Sequence, residues 1–220
     1  MLLATSFAPL AVGVKLELVS DGAATVFQEY FGYSTAMGDF NGDGIVDMAI
    51  GAPGNDTSGN ATGAVYIFYG KGNMAPGELA PSKADVMLTG LLNLSMFGYS
   101  IDCAGDINDD TIDDIVVGAP TFLNNMGAAY VFFGGSLVNC TADKANVTMA
   151  GYGAGYLLGT AVTGAGDLNG DGIDDIAVSA PGAWRGQVYI FYGQSGMVNS
   201  QFPDLWELPQ DRPQPADFTS

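Results

Sequence analysis

Residues 39–53 read DFNGDGIVDMAIGAP, and the stretch returns twice, as DINDDTIDDIVVGAP at 106–120 and DLNGDGIDDIAVSAP at 167–181. Self-similarity at a fixed period is read first, because it sets the whole architecture. Working outward, each copy follows a dipeptide signal: Phe31-Gly32, Phe97-Gly98 or Leu158-Gly159. Each is then followed by an apolar octapeptide: GAVYIFYG ending at Gly70, GAAYVFFG at Gly134 and GQVYIFYG at Gly193. The anchor aspartates Asp39, Asp106 and Asp167 lie 67 and 61 residues apart. Each copy is therefore one supersecondary unit of about sixty residues, a little longer than common propeller repeats.

Inside a unit the pattern is strand throughout. Residues 65–69 are β-branched and aromatic and stop at Gly70. Residues 45–50 form a short apolar run stopped by Gly51-Ala52-Pro53. Short apolar segments at 14–19, 86–89 and 147–150 supply outer strands, and no segment has a helical period. Four short strands per repeat describe the blade of a β-propeller. The expected fold is all-β: a partial propeller of about three four-stranded blades over residues 14–200, with repeats at 31–90, 97–150 and 158–200. Residues 1–13 read as a signal segment or a leading strand. Residues 201–220 form a proline-rich tail whose Asp217-Phe218-Thr219 suits the outer strand of the last blade. Propellers close with four to eight blades, so the expectation is an arc completed by more of a parent chain or by assembly.

Composition narrows the function. Six Lys+Arg against 24 Asp+Glu give a net charge of −18, which argues against nucleic acid or an anionic membrane surface as a partner. The chain has no histidine, so histidine general bases, Ser-His-Asp triads and histidine-ligated zinc are excluded. Two cysteines are too few for a cysteine zinc site or a disulfide scaffold. Uncharged windows at 115–142 and 145–166 are long enough to span a membrane, but Gly, Asn, Thr and Pro break them, and they fall inside the repeats. No candidate acid has a base or nucleophile partner, so no enzymatic activity is expected.

The acidic loops carry the chemistry. Their ligand set is Asp39, Asn41, Asp43, Ile45 and Asp47 in loop one; Asp106, Asn108, Asp110, Ile112 and Asp114 in loop two; and Asp167, Asn169, Asp171, Ile173 and Asp175 in loop three. Positions 1, 3, 5 and 9 offer side-chain oxygens, and position 7, always Ile, offers its carbonyl. Alternate oxygens around a turn suit a hard cation, and this number and type of donor suits Ca²⁺, since Mg²⁺ prefers to keep its waters. Position 12 is Ile50, Val117 or Val178 rather than Glu, and a strand follows, so the loop is not an EF-hand. Asx-turns with solvated acids would explain one copy, but three copies at one spacing point to a site. Up to three Ca²⁺ would change the formal charge from −18 to −12. Loop two has Asp109 and Thr111 where the others have glycine, and is expected to bind most weakly.

Phe31-Gly32, the acidic loop and Gly51-Ala52-Pro53 together resemble the FG-GAP repeat of the integrin α-subunit propeller. The third copy departs at Leu158 and Ser179, with its loop intact. The resemblance implies an extracellular or cell-surface, calcium-binding adhesion or ligand-binding module. It also implies a protein ligand or partner subunit on the face opposite the calcium loops. Strand alternation puts Phe122, Tyr152, Tyr156 and Trp184 on that face, as interface anchors or as packing between blades. FG-GAP repeats also resemble the accessory part of glycosylphosphatidylinositol phospholipase D, which gives the alternative of a non-catalytic propeller in a secreted hydrolase. A third reading is a structural repeat in a bacterial surface protein.

Sequons at Asn55, Asn60, Asn93, Asn139 and Asn146 exceed the about 1.4 that chance predicts, and favour a glycosylated secretory chain. Glycans at Asn55, Asn60 and Asn93 would screen the binding face around the first repeat. Cys103 aligns with Ala36 and Gly164 when counted back from the anchor aspartates. A Cys103–Cys140 disulfide is open in an oxidising compartment, and separate thiols are the favoured reading.

Overall fold

In the computed structural model, residues 29–72 and 79–197 are described. The possible leader, the strand at 14–19 and the tail lie outside them. Each repeat forms an antiparallel sheet. The first blade is β1 (Ser34–Gly38), β2 (Asp47–Ala52), β3 (Ala64–Phe68) and β4 (Val86–Thr89). The second is β5 (Ser100–Gly105), β6 (Asp114–Ala119), β7 (Ala128–Phe132) and β9 (Val147–Ala150). The third has three described strands, β10 (Val162–Gly166), β11 (Asp175–Ala180) and β12 (Gln187–Phe191). The all-β blade architecture is as expected, and position 9 of each acidic loop opens the second strand of its blade.

The motif letters have a packing reason. Phe97 is fully buried in a cluster shared by blades one and two, with Val65, Ile67, Ile115 and Val117. It stands edge-on to Phe132 at 6.1 Å and tilted against Tyr130 at 5.6 Å. Leu158 plays the same part in the cluster between blades two and three, so the aliphatic replacement keeps the plug. The backbone next to this residue docks on the preceding blade. A Cβ at Gly51 would meet the Gly98 carbonyl oxygen at 2.2 Å, and one at Gly118 would meet that of Gly159 at 2.1 Å. Only glycine allows these approaches. Ser34 Oγ also donates to the Gly98 carbonyl at 2.8 Å.

Two features depart from the four-strand blade. A two-residue strand, β8 (Cys140–Thr141), leaves blade two and pairs in parallel with β4, setting Leu88 opposite Cys140 and Thr89 opposite Thr141. It continues the outer edge of blade one, where Met87 N–H also donates to Asn139 Oδ1 at 2.8 Å. Covering an edge in this way removes a template for unwanted pairing. Second, β5 and β10 each carry a bulge before the acidic loop, between Cys103 and Gly105 and between Gly164 and Gly166, whereas β1 runs in straight register. Cys103 stands opposite Ile115 as Gly164 stands opposite Ile176 and Met37 opposite Met48. Its counterpart in blade one is thus Met37, not Ala36. The extra residue absorbed by the bulge shifts the alignment by one. Both thiols are free and half-buried.

Candidate metal loops and the opposite face

Each acidic loop is a ring of Asx bonds closed on its own backbone. In loop one, Asp39 Oδ1 accepts the N–H groups of Gly42 at 2.9 Å and Asp43 at 3.0 Å, and its Oδ2 accepts that of Gly44 at 2.7 Å. Asn41 Oδ1 accepts from Asp43 N–H, and Asp43 Oδ1 from Ile45 N–H. Loop three repeats every one of these bonds with Asp167, Asn169 and Asp171. The amides around Asp167, that of Gly172 foremost, hold its carboxyl below the usual range. Positions 4 and 6 sit in the left-handed region in all three loops. Glycine fills them in loops one and three, but Asp109 (φ 63°) and Thr111 (φ 72°) fill them in loop two.

Position 9 has a different environment. Asp47, Asp114 and Asp175 are at most 1% exposed. In each, Oδ2 accepts the N–H of position 2 (Phe40, Ile107 or Leu168), while Oδ1 accepts that of the glycine after the third strand (Gly70, Gly134 or Gly193). Burial raises the Asp47 carboxyl, offset by its Gly70 and Phe40 amides and reinforced by the charges of Asp43 and Asp39. Burial pushes Asp114, in the blade flanked on both sides, up to about 7.

Among the described residues no three carboxylate or thiol groups converge as a metal cage by themselves. The donor set of each loop nevertheless fits a hard cation. It is all oxygen, and each amide-bonded carboxylate oxygen keeps a second lone pair. Asn108 Oδ1 adds a local sign. It is buried with no hydrogen-bond partner, whereas its counterparts Asn41 and Asn169 are satisfied by an amide. A buried, unsatisfied acceptor is costly unless something positive meets it.

The opposite face divides the four proposed anchors. Trp184 is 57% exposed, with the Arg185 guanidinium 4.3 Å from its ring centroid, and Tyr152 is 45% exposed. Phe122 instead packs on the core between blades one and two, edge-on to Tyr130 at 6.3 Å. Tyr156 is half-buried against the next core. Of the two readings left open, interface anchor or packing between blades, Phe122 and Tyr156 take the packing while Trp184 and Tyr152 stay exposed. The left-handed turn at Leu123, Asn124 and Asn125 folds Phe122 back onto its blade. The sequence reading missed Leu91, Leu92 and Leu94, all exposed on the connection to the second repeat. Three leucines in four loop residues were the available signal. Asn55 is a second correction. Its side chain is fully buried, its amide donates to the Tyr66 hydroxyl at 3.0 Å, and its Oδ1 accepts from Thr57 N–H. A folded blade has no room for a glycan there. Asn60, Asn93 and Asn139 are exposed and Asn146 is half-buried.

A family model for the FG-GAP repeat matches residues 31–68, 97–132 and 158–191. Integrin alpha-5 of Xenopus laevis is 34% identical over 200 residues, which is 85% of this chain and 17% of that protein. Integrin alpha-V of Gallus gallus is 33% identical over 192 residues, 84% of this chain and 17% of that protein. Integrin alpha-PS5 of Drosophila melanogaster is 34% identical over 170 residues, 74% and 16% respectively. The chain thus spans about a sixth of the length of these relatives.

Proposed function

The chain belongs to the FG-GAP repeat family of β-propellers, and on that premise we propose that it is a calcium-stabilised segment of an integrin-α-like adhesion head. The observation that carries calcium is the threefold loop with one oxygen set, together with the unsatisfied Asn108 Oδ1. Asp39, Asn41, Asp43, the Ile45 carbonyl and Asp47 would hold the ion in loop one, and their counterparts would do so in loops two and three. Bound calcium would neutralise the crowded carboxylates and pin the hairpin between the first two strands. Affinity in the roughly 10⁻⁴–10⁻³ M class of extracellular modules keeps such sites filled outside a cell.

The integrin relatives support a protein ligand or a partner subunit in general, and the exposed Trp184 and Tyr152 make the face opposite the acidic loops our choice for it. They support an extracellular or cell-surface location, where the sequons at Asn60, Asn93, Asn139 and Asn146 would carry glycans. The rest of the propeller would come from the parent chain. No helix among the described residues is long and apolar enough to cross a membrane. The hydrolase-accessory alternative gains nothing from the relatives named above. Thermal unfolding in 5–10 mM calcium against a chelator (about ten times the expected dissociation constant) tests the calcium reading. A higher midpoint with calcium, strongly reduced in Asp43→Ala/Asp171→Ala, which leaves only the weaker loop two, supports it. An unchanged midpoint together with no calorimetric heat defeats it.

A further inference from the structure

We propose that the eighth residue of an acidic loop, Asp113 in loop two and Asp174 in loop three, is a positioning residue for the loop of the preceding blade. The proposal rests on the calcium reading above and adds a direction to it: each blade sets the cation loop of the blade before it.

Two sets of observations point this way. The first is a pair of bonds between blades at matching positions. Asp39 N–H donates to Asp113 Oδ2 at 2.8 Å, and Asp106 N–H donates to Asp174 Oδ2 at 3.0 Å. In each case the donor belongs to position 1, whose carboxylate organises the whole loop. Asp174 also returns a bond, its own N–H donating to the Asp106 carbonyl at 3.2 Å. The second is the space left for these carboxylates. A Cβ on Gly38 would come within 3.0 Å of Asp113 Oδ2, and one on Gly105 within 2.1 Å of Asp174 Oδ2. At Gly166, which precedes loop three, a Cβ would meet nothing within 4 Å, because no following blade is described there. At Gly105 the neighbour's carboxylate is the nearest group, and at Gly38 it shares the space with Cys103 Sγ at 2.8 Å and the Phe40 ring at 2.9 Å. In both blades the missing side chain leaves room for that carboxylate beside the loop.

The consequence is chemical. A carboxylate on the position 1 amide fixes where the first ligand starts, and it places a negative charge beside a cation site without spending a ligand oxygen. Loop one has Val46 at position 8, 63% exposed, so blade one offers no such carboxylate to a blade before it. The tether runs one way along the chain, from blade three to loop two and from blade two to loop one.

The test follows the amides of Gly44 and Gly172 by NMR in one calcium titration of the full chain, which reads loops one and three separately. Asp113→Ala is expected to weaken calcium at loop one about ten-fold, the scale of one charge-assisted hydrogen bond, and to leave loop three unchanged. Asp113→Asn, which keeps an acceptor, is expected to stay within about three-fold of the wild type. In the calcium-free protein, Asp113→Ala should also speed hydrogen exchange at the Asp39 amide. Equal weakening of both loops marks general destabilisation and overturns the proposal. So does an unchanged loop one, or an Asp113→Asn that loses as much as Asp113→Ala. If neither loop of the wild type responds to calcium, the calcium reading itself has failed, a signature distinct from all of these.

Discussion

Asp114 Oδ1 accepts the backbone N–H of Gly134 at 2.9 Å, which ties the end of an acidic loop to the end of the third strand of the same blade. The same pairing joins Asp47 to Gly70 and Asp175 to Gly193. Position 9 is therefore a structural brace as well as a candidate ligand, and the two roles separate in the absence of metal. Replacing Asp114 by Ala leaves two buried amides without an acceptor, at about 2–4 kcal/mol. In a chelator the melting midpoint should fall by roughly 5–10 °C. Asp114→Asn keeps one acceptor and should lose about half as much. A variant that melts like the wild type in chelator would remove the brace.

Loop two adopts the backbone of its sisters without their glycines, so it holds two residues in the left-handed region at about 1–2 kcal/mol each. Thr111→Gly should raise stability by about 1 kcal/mol in denaturant unfolding, β-branched residues being the least tolerant of positive φ. Asp109→Gly should gain less, because Asp tolerates this region better. The mirror change, Gly172→Thr, should weaken calcium at loop three and leave loop one alone. A Thr111→Gly variant less stable than the wild type would show that the strain is not there.

Repeats, strands and loops were readable because each is written by local chemistry: alternation, glycine stops and alternate oxygens. What escaped depended on neighbours in space. The bulge before Gly105 appears in the sequence as one extra residue in FGYSIDCAGD against FGYSTAMGD, yet counting from the aspartate paired Cys103 with the wrong partner. The β8 edge joins two blades through two residues, too few for any pattern. Asn55 has a sequon's letters and a core residue's burial, and only the second depends on Tyr66.

The free thiols give a pH test. Burial, opposed by the Gly105 amide and reinforced by Asp113 and Asp102, pushes Cys103 up to about 11. Burial and the Asp143 charge raise Cys140 as well. A raised pKa lowers the reactive thiolate, so at pH 8 only about one Cys103 in a thousand is ionised. Alkylation of the native protein should therefore be slow at both sites. At Cys103 its rate should climb close to ten-fold per pH unit between 8 and 10. Denaturation should expose two titratable thiols without a reductant. Finding none would establish a Cys103–Cys140 bridge and overturn the separate-thiol structure.

Asn55 separates motif from accessibility. Its amide nitrogen, the atom a glycan would occupy, donates inside the blade to Tyr66, whose hydroxyl burial pushes up to about 12. Secreted from a eukaryotic host, the chain should carry no glycan at Asn55 in its folded fraction, with occupancy confined to the other four sequons. Asn55→Gln should destabilise it by about 1–3 kcal/mol, because a longer amide in a filled site breaks the bonds to Tyr66 and Thr57. Asn60→Gln and Asn93→Gln, on exposed loops, should stay within about 0.5 kcal/mol of the wild type. Glycopeptide mapping of the secreted protein decides the point. Occupied Asn55 in a cooperatively melting fraction would mean that the loop between β2 and β3 packs differently from this structure.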